Sequence, residues 1–239
     1  MMRRVGILGG MGPQATILVM QKLLASVQAG DDGDHIPLIV DQNPQVPSRI
    51  AHLLEGAAED PGPVLAAMAR RLVAGGAQAL AMPCNTAHHY AGAIRAAVAV
   101  PFLDMVALAL TQAAGLVARG GVIGILASPA VRKTGLFDAG LAAYGLRGLY
   151  AADEPAMLAA IRQIKSQGPQ PEARATLRAA STNLRARGAG VQMVACTEFS
   201  LIADALAPQI TAFDTLDLLV QAIKAFALTS DAQTAQVAV

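Results

Sequence analysis

Three short landmarks recur in the same order along this chain at almost constant spacing, and no other feature narrows the fold as far. Val5-Gly6-Ile7-Leu8 is echoed by Ile123-Gly124-Ile125-Leu126, so that Gly6 maps onto Gly124. Cys84-Asn85-Thr86 is echoed by Cys196-Thr197-Glu198, nearly as far along. Val100-Pro101-Phe102-Leu103-Asp104 is echoed at a closely similar distance by Ile210-Thr211-Ala212-Phe213-Asp214. A single match arises easily by chance; three in order indicate two copies of one structural unit.

Within each copy, short aliphatic runs alternate with Ala- and Leu-rich helical stretches, the pattern of a parallel α/β protein. Strands are expected at 5–8, 36–41, 78–82, 100–103, 122–126, 146–150, 192–195 and 210–213. Pro13 and Pro155 suit first helical turns, and Asp104 and Asp214 suit N-caps. The expected architecture is two similar flavodoxin- or Rossmann-like lobes with parallel sheets, related by a pseudo-two-fold. The carboxyl ends of the strands then face a shared cleft. Residues 1–104 are expected to form the first lobe and 105–213 the second, with a helix at 214–229 returning to the first. The tail at 230–239 is expected to be disordered.

Composition limits the function. Of 239 residues 54% are hydrophobic and 15% charged, enough apolar surface for a large core and little sign of disorder. A net charge of +1 and only 3% aromatic residues speak against nucleic-acid binding, which relies on basic patches and stacking faces. The apolar run after Met1-Met2-Arg3-Arg4 is short and breaks into glycines, so it is read as a strand and not as a signal peptide. The apolar region 98–118 is interrupted by Pro101, Asp104, Thr111 and Gln112, which excludes a membrane span. Two unpaired cysteines fit a reducing cytoplasm.

Those two cysteines carry the chemistry. Each is expected to end a strand and open a helix, whose N-terminal N–H groups favour a thiolate and can hold a carboxylate. A lone free cysteine is usually a small buried hydrophobe; matched contexts in both repeats favour a chemical role. With a thiol on each wall of a cleft, one thiolate can remove a proton from one face of a carbon. The opposite thiol then returns a proton to the other face, a 1,1-proton transfer that inverts the stereocentre. Such a reaction needs no metal and no organic cofactor. Arg49, in a loop after a strand and between Pro47 and an apolar run, is a candidate carboxylate clamp.

Taken together, Gly9-Gly10-Met11-Gly12-Pro13 with Ala15-Thr16, Pro47-Ser48-Arg49, Cys84-Asn85-Thr86-Ala87-His88, Lys165 in Ile-Lys-Ser-Gln-Gly, and Cys196-Thr197-Glu198 resemble the aspartate/glutamate racemases over nearly the whole chain. The resemblance implies a pyridoxal-phosphate-independent racemase that works as a homodimer on an acidic amino acid, aspartate or glutamate. It implies that Cys84 and Cys196 are the proton donor and acceptor, and that Arg49 and Lys165 hold substrate carboxylates. Met11, Asn85, Thr86 and Thr197 would line the site, with Glu198 supporting it by hydrogen bonding or capping its helix. The chain departs from the family pattern at Ser48, Ile50, Val131, Phe137 and Ala195, and Ile50 and Val131 put aliphatic groups where polar ones are usual.

Other readings are weaker. Gly10-Met11-Gly12-Pro13-Gln14-Ala15 satisfies the dinucleotide fingerprint, but Asp31, Asp32 and Asp41 are each misplaced for a ribose contact. Cys84, His88 and Cys196 do not complete a tetrahedral metal set. A hydantoin racemase, maleate isomerase or decarboxylase would keep the thiols and change their surroundings. A non-catalytic two-lobe carboxylate-binding protein would keep the cleft but have no need of either thiol.

Overall fold

The computed structural model describes residues 2–229, so the expectation for the tail at 230–239 lies outside the described residues. The first half runs β1 (Val5–Gly9), α1 (Pro13–Ser26), β2 (Leu38–Gln42), α2 (Gly62–Ala74), β3 (Ala79–Ala81), α3 (Ala91–Ala97), β4 (Phe102–Leu103) and α4 (Met105–Leu116). The second runs β5 (Val122–Ala127), α5 (Pro129–Lys133), α6 (Asp138–Ala143), β6 (Arg147–Tyr150), α7 (Glu154–Gln167), α8 (Pro171–Ala186), β7 (Val191–Ala195), α9 (Thr197–Ser200), β8 (Thr211–Asp214) and α10 (Thr215–Leu228). All eight expected strands are present, with only small displacements at their ends. Pro13 and Pro155 occupy first turns. Asp104 accepts from the N–H groups of Val106 and Ala107, and Asp214 from that of Leu216, so both are side-chain N-caps.

The strands form two four-stranded parallel sheets, ordered β2-β1-β3-β4 and β6-β5-β7-β8. The duplication extends to the register. Val5 pairs with Ala79 and Leu80 with Phe102; their counterparts Ile123 and Gln192 pair with Val191 and Ala212. Each sheet is covered on both faces, as buried parallel sheets require. In the first, Leu8, Leu72, Leu80 and Ile94 form one core and Val5, Ile7, Val19 and Leu23 the other. Leu126, Ile161, Leu177 and Val194 fill one face of the second sheet, and Ile123, Ile125, Phe137 and Met193 the other.

The helices that follow the last strands exchange partners. After β4 of the first sheet, α4 places Ala109 and Ala113 in the core of Ile123 and Ile125 on the second sheet. After β8 of the second sheet, α10 places Leu216, Leu219, Val220, Ile223 and Phe226 in the core of Val5 and Ile7 on the first. Among the described residues no helix is long and apolar enough to cross a membrane.

Candidate active site

Parallel α/β units build their sites at the carboxyl ends of strands because the connecting loops gather there. Equivalent connections from both sheets do so here, around one cavity between the lobes. The first sheet contributes Met11 after β1, Ser48, Arg49 and Ile50 after β2, and Cys84 and Thr86 after β3. The second contributes Ser128 after β5, Ile161 and Lys165 from α7 after β6, and Cys196 and Glu198 after β7. Both cysteines are free, with 8% and 6% of their surface exposed.

The free space is about 30 Å³, room for water but not for an amino acid at roughly 10–15 Å³ per water site. An outer groove of about 400 Å³ shares Ser48, Arg49 and Lys165 with the cavity, so these residues stand at its neck. Ligand access therefore requires movement at the neck. The lobes are also tied by the Arg162–Glu55 ion pair at 2.9 Å, whose side chains are both well exposed. Such a pair contributes little and yields readily.

Local sequence explains how the loops are held. Gly10 has φ of +92°, and a Cβ there would lie 2.4 Å from the Asn43 backbone. Only glycine permits that approach, which seats the loop after β1 against the one carrying Arg49. Arg49 donates through Nη1 to the carbonyls of Val46 and Pro47, while its buried Nε has no hydrogen-bond partner among the described residues. Cys84 precedes a 3₁₀ turn, Thr86–Tyr90, and Cys196 is the N-cap of the single-turn α9. Thr86 Oγ1 lies 3.0 Å from Ser128 Oγ, joining the two lobes.

The electrostatics at Cys196 differ from the sequence expectation. Its Sγ donates to Glu198 Oε2 at 3.1 Å, and Glu198 Oε1 lies 3.3 Å from Lys165 Nζ. Burial pushes the Cys196 thiol well up, and the adjoining carboxylate adds to the rise; the Lys165 ammonium and the Glu198 backbone N–H pull less strongly the other way. The start of so short a helix does not outweigh burial beside an anion. Glu198 engages Cys196 and Lys165 with its side chain, and no side chain caps α9.

Of the residues singled out in the sequence, Met11, Arg49, Cys84, Thr86, Lys165, Cys196 and Glu198 meet around the cavity. Asn85 and Thr197 are buried but are not among its lining; Asn85 Nδ2 donates to Thr215 Oγ1, and its Oδ1 has no partner among the described residues. Ser48 and Ile50, read in the sequence only as departures from the family pattern, complete the lining with Ser128 and Ile161, which no sequence motif marked as site residues. The shift that maps Gly6 onto Gly124 points to Ser128 as the counterpart of Gly10, and Ile161 lies one helical turn before Lys165. His88 is occupied away from the cavity, with Nδ1 at 2.8 Å from the Cys84 carbonyl and Nε2 accepting from the Met105 N–H. Among the described residues no group of three or more His, Cys, Asp or Glu is placed to share a metal ion.

Twin sheets with a thiol from each on one cavity, beside an arginine and a lysine, define a two-lobe α/β protein built around paired cysteines. A profile of the Asp/Glu/hydantoin racemases matches residues 8–223, and the chain belongs to that family. The aspartate racemase of Picrophilus torridus is 26% identical, with 94% of each chain covered and a TM-score of 0.84. An aspartate racemase homologue from Pyrococcus horikoshii OT3 shares the fold at 18% identity and TM-score 0.72, covering 95% of this chain and 100% of its own. So does a glutamate racemase from Francisella tularensis solved with D-glutamate, at 14% identity and TM-score 0.63, over 93% of this chain and 80% of its own.

Proposed function

We propose that the protein is an isomerase that racemises an acidic amino acid, aspartate first and glutamate second, by a two-cysteine 1,1-proton transfer. The observation that carries this reading is that Cys84 and Cys196, from equivalent loops of the two repeats, line one cavity with Arg49 and Lys165. Family membership and the likeness to the Picrophilus torridus aspartate racemase support it.

In this mechanism the substrate's carboxylates take Arg49 and Lys165 and bring the α-carbon between the sulfur atoms. The unpartnered Arg49 Nε favours such an anion, because a buried donor without an acceptor costs about 1–3 kcal/mol. One cysteine, as thiolate, removes the α-proton; the other, as thiol, protonates the opposite face. Negative charge developing on the substrate carboxylate is stabilised by the two cations and by N–H groups at the turns following the cysteines. The reaction calls for no organic cofactor, and a reducing cytoplasm would keep both thiols free.

The enzyme should be incubated with L-aspartate, L-glutamate, hydantoins and maleate in deuterium oxide. Deuterium at the α-carbon together with the D-enantiomer of aspartate or glutamate is the expected result. Ile50 and Ile161 in the lining favour a hydantoin as the second reading, and exchange confined to hydantoins would select it. Fumarate from maleate, or release of carbon dioxide, would reassign the reaction. Cys84→Ser should lower turnover by on the order of 100-fold or more, the usual worth of a positioned acid or base; full activity in that variant would leave only a carboxylate-binding role.

A further inference from the structure

The repeats diverge where the chemistry would occur. The shift that maps Cys84 onto Cys196 also maps Thr86 onto Glu198, and both of these line the cavity. On the first side the position carries a neutral hydroxyl paired with Ser128. On the second it carries a carboxylate that joins the Cys196 thiol to the Lys165 ammonium. The Glu198 side chain is 8% exposed and that of Lys165 37%. Lys165 also lines the outer groove, and Gly12, which lines it too, would place a Cβ 3.6 Å from Glu198 Oε1. Thiol, carboxylate and ammonium thus form an unbroken polar chain from the enclosed cavity to the groove. Among the described residues no side chain hydrogen-bonds the Cys84 sulfur.

A two-thiol racemase ends each turnover with its protons in the wrong places. The base has gained the α-proton and the acid has lost its own. Another turnover in the same direction requires both to be reset. A buried Cys196 thiolate is shielded from bulk water, so its proton needs a route. We propose that Glu198, acting with Lys165, is a proton relay that restores the Cys196 thiol from the outer groove after product leaves, and that it holds the proton there until the next substrate binds. Cys84 is then the base of the resting enzyme. The inference rests on the racemase reading above.

The protons balance without an external reagent. The Lys165 ammonium gives a proton to Glu198 Oε1, a turn of the carboxyl group presents it to the Cys196 thiolate, and the neutral lysine takes a proton from hydronium. Thiolate and hydronium become thiol and water at Cys196, Glu198 ends as the carboxylate it began as, and the Cys84 thiol gives the abstracted proton to water, so one hydronium is consumed and one is formed. The chain is also gated. A substrate carboxylate that takes Lys165 cuts Glu198 off from the groove, which insulates the Cys196 proton during the chemical step. Departure of product lets Lys165 return and completes the chain.

Glu198→Gln keeps the size and a hydrogen bond to sulfur but cannot carry a proton. Relative to wild type, its steady-state rate should fall by about 100-fold or more, the range of general acid–base catalysis, and by at least about tenfold more than its single-turnover rate at neutral pH. The steady-state rate should fall further as substrate rises, because substrate traps enzyme that has not reset. Formate or a small primary amine should rescue the steady state and leave the single turnover unchanged. Equal losses in both regimes without rescue, or no loss in either, would overturn the proposal. Wild-type enzyme supplies an arm independent of folding. In site-resolved alkylation of the substrate-free protein across pH, with Glu198 and Lys165 the charged groups facing it, Cys196 should become reactive only above the pH at which an ordinary thiol does. Reaction of Cys196 at or below that pH with racemisation intact overturns the relay alone. Wild-type enzyme that racemises neither aspartate nor glutamate overturns the function itself and the relay with it.

Discussion

His88 and Ser200 are related by the same shift as the cysteines, and each helps tie a cysteine turn to the helix that follows it. His88 bonds the Cys84 carbonyl and receives the Met105 N–H at the start of α4; Ser200 donates to Asp214, the N-cap of α10. Because Met105 donates to Nε2, the imidazole proton sits on Nδ1 and the ring is neutral. Burial lowers the His88 pKa, so the unfolded chain binds this proton more readily. The stability His88 contributes is present above about pH 6.5 and is lost as pH falls through its depressed folded value. Asp214 behaves in the opposite sense. Burial raises its pKa to about 6, despite bonds from the Leu216 N–H and Ser200, and its Oδ2 has no partner among the described residues. Its favourable contribution is present below its ordinary value of 3.8 and is lost as pH rises through about 6. Asp214→Asn keeps the Oδ1 acceptor and removes this ionisation. Urea unfolding from pH 4 to 6.5 should therefore show stability rising more steeply with pH in the variant, with a difference of up to about 3 kcal/mol across the window at 1.36 kcal/mol per unit. Parallel profiles would show that Asp214 ionises as freely in the native protein as in the unfolded one.

At the level of elements, the glycines of the repeated strand phrase mark a tight strand–helix approach. A Cβ on Gly6 would lie 2.8 Å from Leu80 Cδ2, 2.9 Å from Ala77 Cβ and 3.1 Å from Leu72 Cβ. A Cβ on Gly124 would lie 2.9 Å from Gln192 Cγ, 3.2 Å from Ala189 Cβ and 3.2 Å from Leu184 Cδ1. The shift between the cysteines also carries Leu72, Ala77 and Leu80 onto Leu184, Ala189 and Gln192, so the same contact has been kept twice. Gly6→Ala should destabilise the protein by about 1–3 kcal/mol, the usual cost of forcing a methyl group into a packed core. Gly124→Ala should cost less, since its Cβ would have one contact under 3 Å, whereas that of Gly6 would also meet Ala77 Cβ, an atom fixed to the backbone, at 2.9 Å. Denaturant midpoints for the two variants give the ranking directly. The strands and N-caps were legible in the sequence because aliphatic runs and an aspartate before a helix act locally. The contacts of Glu198 were not. Lys165 is remote from it along the chain, on a different element, and only the packing of α7 against α9 brings them together. The helix-start argument for Cys196 failed for a related reason, since burial and a neighbouring carboxylate are tertiary facts.

For the molecule as a whole, the exchange of α4 and α10 makes each sheet depend on a helix from the far side of the other. Strand order and register repeat so closely that each half looks self-sufficient, yet the face of β1 formed by Val5 and Ile7 is covered by α10 from the chain's far end. Leu216, Leu219, Ile223 and Phe226 together withdraw enough apolar surface to supply on the order of 6–12 kcal/mol, at roughly 1.5–3 kcal/mol per side chain. That is comparable to the entire stability of a typical domain, about 5–15 kcal/mol. A fragment of residues 1–104 should therefore fail to fold, although it holds every strand of the first sheet. The full chain should unfold in one transition, with near- and far-ultraviolet circular dichroism changing together. A fragment of 1–104 with a cooperative melt of its own would show that the first sheet does not need α10.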